Sequence, residues 1–343
     1  MLKPLALAAG AAVLLSLTAP SFAADDAIKV YAGRFNEAVA KAFTDKTGIA
    51  VEIVKGEFDE ITDGILAENQ KVADVVIAGD LAGVARLQEK GVFEPHRSAA
   101  IDETIPAALR DPDGAWFATF RRARVIFYNP DLLSAPPRAY ADLAGPDYRG
   151  KVCIGSGASG YNLAFVSGML GRIGPEATER FVRDYVANDA GAQQGHDPVQ
   201  ILNVGKGDCA ATIVNHYYFL NLKAEDKPEN REALSKVALA WPDQDGDGVV
   251  FNSGAAGLAK NAANPEGAVA FLEFLASDEG QQMLAGRAFF PAAANVEPSP
   301  AVQELGAPRW TQQSAAEAIA HLAEARALVE AAAWPSPPPR PAR

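Results

Sequence analysis

Between residues 28 and 80 the hydrophobic pattern switches period repeatedly, and that alternation constrains the fold more than any other feature. "IKVYAG" alternates as a strand, "FNEAVAKAFTDKTG" carries apolar residues at helical spacing and closes at Gly48, and "IAVEIVKG" returns to a strand. "FDEITDGILAENQ" reads as a second helix, "ADVVIAG" as a third strand, and Asp80 as the cap of the helix that follows. Successive units of this kind imply an α/β start with a mostly parallel sheet. With 343 residues, 49% of them hydrophobic, the chain has material for two domains more readily than one.

A second set of α/β elements lies between roughly Asn129 and Pro242, bracketed by the strand-like segments "ARVIFYN" and "GAAGLAKNA". The economical architecture is one domain inserted into another, joined by two crossing strands, with ligands bound in the cleft between the lobes. The expected limits are lobe 1 over 24–121 and 249–300, and lobe 2 over 122–248 and 301–334. Two helices with clean starts follow the return: Asn264 caps before Pro265, and Ser277 caps before Asp278 and Glu279. The Ala-rich stretch from Ser314 to Ala333 reads as one further helix, and "PSPPPRPAR" (335–343) as a disordered tail.

Residues 1–23 carry one lysine, a short apolar run and the small-x-small site Ser21-Phe22-Ala23, the pattern of a cleaved secretory signal peptide. The run from Leu5 to Leu17 is too short for a spanning helix, which needs roughly 20 residues. A periplasmic location follows as the expectation. The formal charge is −12, one unit more negative once Lys3 leaves with the leader. Such acidity opposes nucleic acid as a partner and is compatible with cationic cargo. Cys153 and Cys209 each sit in a short β-type run. An oxidising compartment favours a disulfide between neighbouring strands, with two buried free thiols as the alternative.

"NHYYFLNL" places Tyr217 and Tyr218 side by side between the strand "AATIV" and a helix, with Asn215 as the expected N-cap. At so irregular a junction adjacent side chains can converge, which a regular strand or helix interior would prevent. The helix N-terminus would favour phenolate there, and a hard, highly charged metal ion would stabilise the anion further. The alternative is two ordinary aromatics, one in the core and one on the surface. "CIGSGASGYNLA" satisfies G-x-G-x-x-G at Gly155, Gly157 and Gly160, which raises a nucleotide-dependent enzyme. The continuation enters a further helix, "PEATERFVRDYV", rather than a second strand ending in an acidic residue, so the loop reads instead as a backbone nest for a small anion with Tyr161 at its mouth.

Other motifs carry less. Asp243, Asp245 and Asp247 imitate the start of a calcium loop, yet Gly254 stands at the twelfth position, and a tight turn is expected. Glu57 and Asp59 read as a solvated first helical turn. No Ser-His-Asp or Cys-His nucleophile and no HExxH motif is visible, so the chain is not expected to be an enzyme.

Taken together, "IKVYAGRFNEAV", "ADVVIAGD", "RARVIFYN", "YRGKVCIGSGASGYN", "NHYYFLNL", "WPDQDGDGVVFNSGAAG" and "PEGAVAFLEFLASDEGQ" resemble the periplasmic ferric-iron-binding proteins of ABC importers, over nearly the whole chain beyond the leader. The resemblance implies a two-lobed α/β periplasmic binding protein fold, in which the tyrosines matching Tyr161, Tyr217 and Tyr218 bind Fe³⁺ as phenolates. Hard oxygen donors suit that ion. It further implies a synergistic anion such as carbonate held by Arg122 and Asn215 beside Ser159 and Gly160, and a monomer that delivers its cargo to an ABC permease and its ATPase. His196 stands where relatives place an Asn near the anion, and is a candidate additional ligand or a surface histidine. The chain departs from the family at Phe35-Asn36 and at Gly79, where relatives carry first-lobe ligands. An organic cation or a metal chelate is therefore the alternative cargo.

Overall fold

The computed structural model describes residues 27–33, 35–192 and 195–335. The signal peptide and residues 336–343 of the tail lie outside the described residues. The opening units form as their periodicity predicts: β1 (Ile28–Ala32), α1 (Glu37–Thr47), β2 (Val51–Val54), α2 (Phe58–Leu66), β3 (Val75–Ala78) and α3 (Leu81–Lys90). Local chemistry sets their limits. Asn36 Oδ1 accepts from Ala38 N–H at 3.1 Å to start α1, and Gly48, at φ 79°, ends it in the left-handed conformation that suits glycine. Asp80 Oδ1 likewise accepts from Gly83 N–H at 2.7 Å and starts α3.

After α4 (Ala99–Thr104) comes the longest strand, β4 (Phe117–Tyr128), the spine of the molecule. The second-lobe elements follow as β5 (Val152–Cys153), α5 (Gly160–Ile173), α6 (Pro175–Ala187), α7 (Asp197–Lys206), β6 (Ala211–Asn215), α8 (Tyr217–Glu225), α9 (Pro228–Ser235) and β7 (Ala238–Ala240). The chain returns through β8 (Phe251–Leu258), α10 (Pro265–Ala276), α11 (Asp278–Ala285), β9 (Phe290–Pro291) and α12 (Pro300–Gln303). The sheet order is β2-β1-β3-β8-β4-β6-β5, with β7 and β9 each paired to β4. Pairing is parallel among β1, β2 and β3 and between β5 and β6, but every pair made by β4 or β8 is antiparallel. The sheet as a whole is therefore mixed, because the strands that cross between lobes run in opposite directions.

β4 is shared between the lobes: Phe117 to Ala123 pair with β8, and Arg124 to Tyr128 pair with β6. A buried phenol ties the crossing point together. Tyr140 Oη donates to the Arg124 carbonyl at 2.5 Å and accepts from Val250 N–H at 3.1 Å, bridging β4 to the segment entering β8. Two apolar cores flank this point, one drawn from residues 28–118 and 251–318, the other from 123–250 and 325–334. Each fully buried Val, Ile, Leu or Phe adds roughly 1.5–3 kcal/mol.

The Ala-rich segment is two helices rather than the single one expected: α13 (Ala315–Ala320) and α14 (Leu322–Ala331), broken at His321. Ala315 and Ala318 pack into the first core, while Ala325 and Val329 pack into the second. One straight helix could not serve both. Cys153 and Cys209 are joined in a disulfide, linking β5 to the segment that enters β6.

Candidate functional site

β5 and β6 run parallel in the register Val152↔Ala211 and Cys153↔Thr212, so the segments leaving their C-terminal ends emerge on the same side of the sheet. One leads through residues 154–159 into α5 and carries Tyr161. The other leads directly into α8 and carries Tyr217 and Tyr218. The three phenol side chains meet there. Tyr217 Oη donates to Tyr161 Oη at 3.5 Å, the Tyr217 and Tyr218 rings are 4.1 Å apart between centroids, and those of Tyr161 and Tyr218 are 6.5 Å apart. Neither tyrosine of the pair is a plain surface residue: Tyr217 is buried and Tyr218 half-buried.

Burial pushes the phenols of Tyr217 and Tyr218 well above the ordinary tyrosine value. Tyr161 raises Tyr217 further, while the Arg122 guanidinium pulls it down. Burial thus opposes the phenolate that the helix N-terminus is expected to favour. A cation must therefore displace protons from these phenols to be held.

Asn215 also departs from expectation. It is the last residue of β6 rather than the cap of α8, and His216 takes the position before the helix. Asn215 N–H donates to Asp197 Oδ2 at 2.8 Å, and both polar atoms of its fully buried side-chain amide have no partner. Buried polar groups are ordinarily satisfied, so this amide marks a place prepared for another group. Arg122, also buried, has an unpartnered Nε as well. Its Nη2 donates to the Gly79 carbonyl, and its guanidinium lies 5.0 Å from the Tyr161 ring centroid and 5.1 Å from that of Phe120. A small anion fits these donors.

Ser159 caps α5, its Oγ accepting from Tyr161 N–H at 3.3 Å, and Gly160 opens the helix. His196 is exposed, immediately before α7. His216 is fully buried and accepts from Ala123 N–H at Nδ1; burial pushes its imidazolium down to about 4. Part of the glycine loop's backbone is already engaged. Gly155 accepts from Trp334 Nε1 at 2.8 Å, and Gly157 N–H donates to the Pro335 carbonyl at 2.9 Å. The phosphate-cradle reading falls with it, since the side chain of Trp334 occupies the space over Gly157. Pro335, read as the first residue of the tail, is part of this packing.

The first-lobe wall is built differently. Phe35 packs against Phe271, with ring centroids 6.1 Å apart, and the Asn36 side chain is used in capping α1. Gly79 offers only its carbonyl, to Arg122. The Asp80 carboxylate caps α3 with Oδ1, while Oδ2 lies 3.2 Å from where a Cβ on Gly160 would stand, across the cleft. Glu57 and Asp59 are exposed at the start of α2, and Asp59 pairs with Lys90 at 3.2 Å. Among the described residues no group of three or more His, Cys, Asp and Glu could hold a metal ion. The Asp243 turn forms as expected, its carboxylate 2.8 Å from Arg172.

Several residues that shape the site escaped the sequence reading. Arg124, adjacent on β4 to the cleft strand segment, binds Asp197 at 2.8 Å, Asn162 at 2.6 Å and the Ile213 carbonyl at 2.7 Å, locking α5, α7 and β6 together beneath the tyrosines. Phe289 stacks on Phe120 at 4.4 Å and meets the Tyr217 ring edge-on at 4.8 Å. The adjacent aromatics of "RAFFPAAAN" were the one signal that could have pointed to Phe289.

Two α/β lobes joined by crossing strands, with side chains of the second lobe gathered at the cleft, are the architecture of a ligand-binding protein. The family model for bacterial extracellular solute-binding proteins matches residues 70–317, and the chain belongs to that family. Iron uptake protein A1 of Synechocystis is 35% identical over 318 residues, covering 90% of this chain and 87% of the relative. The major ferric iron-binding protein of Neisseria meningitidis serogroup B is 29% identical over 319 residues, covering 88% and 92%. Among solved structures, Trichodesmium FutA (IdiA) in complex with iron and citrate ligands superposes with a TM-score of 0.85 at 32% identity, covering 90% of this chain and 100% of that one. Mannheimia haemolytica ferric iron-binding protein A in an open conformation gives 0.83 at 28% identity, covering 90% and 99%.

Proposed function

We propose that this protein captures ferric iron in the periplasm through the phenolates of Tyr161, Tyr217 and Tyr218 and hands it to an ABC permease driven by its ATPase. The observation that carries the reading is the meeting of three tyrosines from two separate second-lobe segments, with Tyr217 Oη 3.5 Å from Tyr161 Oη. Three phenolates neutralise Fe³⁺ with hard donors. Relatives named for iron uptake and ferric iron binding support the same cargo.

Arg122 and Asn215, with Ser159 and Gly160 beside them, hold a synergistic anion such as carbonate, and His196 is the candidate additional contact. The unpartnered Asn215 amide and Arg122 Nε support that role. The lobes divide at 121/122 and, because Val249 and Val250 pack into the second core, at 250/251 rather than 248/249, with α13 added to the first lobe because Ala315 and Ala318 pack there. The protein acts as a monomer, exported by residues 1–23.

The first-lobe wall favours a variant of this reading, in which iron arrives carrying an oxygen chelate. Phe35 and Asn36 are committed to packing and capping, which leaves coordination positions for a bound carboxylate. The Trichodesmium neighbour holds iron together with citrate. The test is the visible spectrum of iron-stripped protein after addition of ferric citrate or of ferric iron with carbonate. A broad phenolate-to-iron charge-transfer band that weakens in Tyr217→Phe is expected. A colourless protein under both conditions overturns iron as the cargo.

A further inference from the structure

The two segments that bring tyrosines to the site are supported unequally. Tyr217 and Tyr218 directly follow β6, which is paired on one side to β4 and on the other to β5. Tyr161 follows β5, a two-residue strand at the sheet edge, and is separated from it by a loop containing Gly155 and Gly157. Such a loop cannot fix its own height, because its glycines carry no side chain to pack and leave the backbone more freedom than any other residue.

The chain's C-terminal segment supplies what the loop lacks. Trp334, 5% exposed, lies just beyond α14 with its ring 5.3 Å from that of Tyr185. Trp334 Nε1 donates to the Gly155 carbonyl at 2.8 Å, and the Pro335 carbonyl accepts from Gly157 N–H at 2.9 Å. A methyl group on Gly157 would stand 2.8 Å from Trp334 Cβ and Cγ and from Val329 Cγ1, so the loop and the indole are in direct contact. Asn162, one residue beyond Tyr161, anchors the far end by donating to the Ser156 carbonyl at 2.8 Å.

We infer that Trp334, together with Pro335, is a positioning residue for Tyr161: by seating the 154–159 loop it sets the reach of the Tyr161 phenol toward Tyr217 and thereby how long the cargo ion is held. The inference rests on the reading of Tyr161 as a ligand. It reaches a residue far along the chain, in a segment with no chemistry of its own.

A double-mutant cycle on the iron-loaded protein tests it, with Trp334→Phe and Tyr161→Phe made singly and together. Trp334→Phe keeps an aromatic ring near Tyr185 while removing the Nε1 donor and part of the indole's packing on the loop. The readouts are the position of the phenolate-to-iron band and the rate at which EDTA strips the iron. Trp334→Phe is expected to shift the band and speed iron loss about fivefold, the worth of roughly one neutral hydrogen bond. In the Tyr161→Phe background the same change should have no further effect. Gly157→Ala, which drives the indole from its seat, should act in the same direction as Trp334→Phe. If Trp334→Phe speeds iron loss equally in both backgrounds, or in neither, Trp334 is only a core residue and the inference fails. A wild-type protein without the band sinks the ligand reading itself, an outcome distinct from a band that Trp334→Phe leaves unmoved.

Discussion

The two walls of the cleft use equivalent positions for opposite ends. On the second lobe, the segments between strand and helix present three phenols, and Asn215 keeps a buried amide with no partner. On the first lobe, the corresponding segments are consumed by folding: Asn36 caps α1, Asp80 caps α3 and Phe35 packs on Phe271. The asymmetry is one of donor type: the second lobe presents phenols at its strand-to-helix junctions, and the first lobe presents helix caps and an aromatic ring.

The largest test of this asymmetry concerns stability. Asp197→Ala leaves the Arg124 guanidinium, 1% exposed, without its carboxylate, and should cost about 3–5 kcal/mol in urea denaturation. Glu279→Ala, which breaks the exposed first-lobe pair with Lys46, should cost no more than about 1 kcal/mol. Similar losses in the two variants would remove the claim that the second lobe is braced beneath its tyrosines.

Acid should strike the same lobe. Buried His216 has its imidazolium pushed down to about 4, below the ordinary value of 6.5, so between those values the unfolded chain binds a proton that the native state does not. Stability therefore falls as the pH drops through that window, by about 3 kcal/mol in all, and levels off below it. Chemical denaturation of the iron-free protein at pH 7, 5.5 and 4 checks this, and His216→Gln should flatten part of the slope.

Tyr217→Phe should weaken iron by at least about 100-fold, with loss of the charge-transfer band, because a ligand and its charge go together. Phe35→Leu on the opposite wall should leave affinity within about twofold. Equal effects would mean that the first lobe contributes more than its chemistry allows. The comparison can also be narrowed by design. A Cβ on Gly79 would meet nothing within 4 Å, so Gly79→Glu can place a carboxylate on the bare wall. It should slow iron loss to EDTA about tenfold, equivalent to about 1.4 kcal/mol. Asp80→Ala, which removes the α3 cap, should cost about 1 kcal/mol of stability.

Much of this was legible without coordinates. The α/β units, the caps at Asn36's neighbour helix end Gly48 and at Asp80, the crossing strands and the adjacent tyrosines follow from periodicity and from residue types whose preferences act within a few positions. The helix break at His321 was not, because Ala-rich composition favours a continuous helix and only the existence of two separate cores divides it. Asn215 was misplaced for the same reason. An Asn before a helix is a good cap in isolation, and it took the pairing of β6 with β4 to extend the strand through it.

The sequence by itself determined that this chain would build alternating strands and helices, return through a second crossing strand and set two phenols side by side, since each depends on hydrogen bonds and hydrophobic spacing between near neighbours. Spacing alone did not join Tyr161 to them, which the sequence offered only through its family resemblance, and only the tertiary structure decided that Asn215 stays buried without a partner and that Trp334 packs on the loop in between. Those outcomes depend on the parallel register of β5 with β6 and on contacts between residues far apart in the chain, such as Trp334 with Gly155. Long-range contacts of that kind have no signature in local spacing.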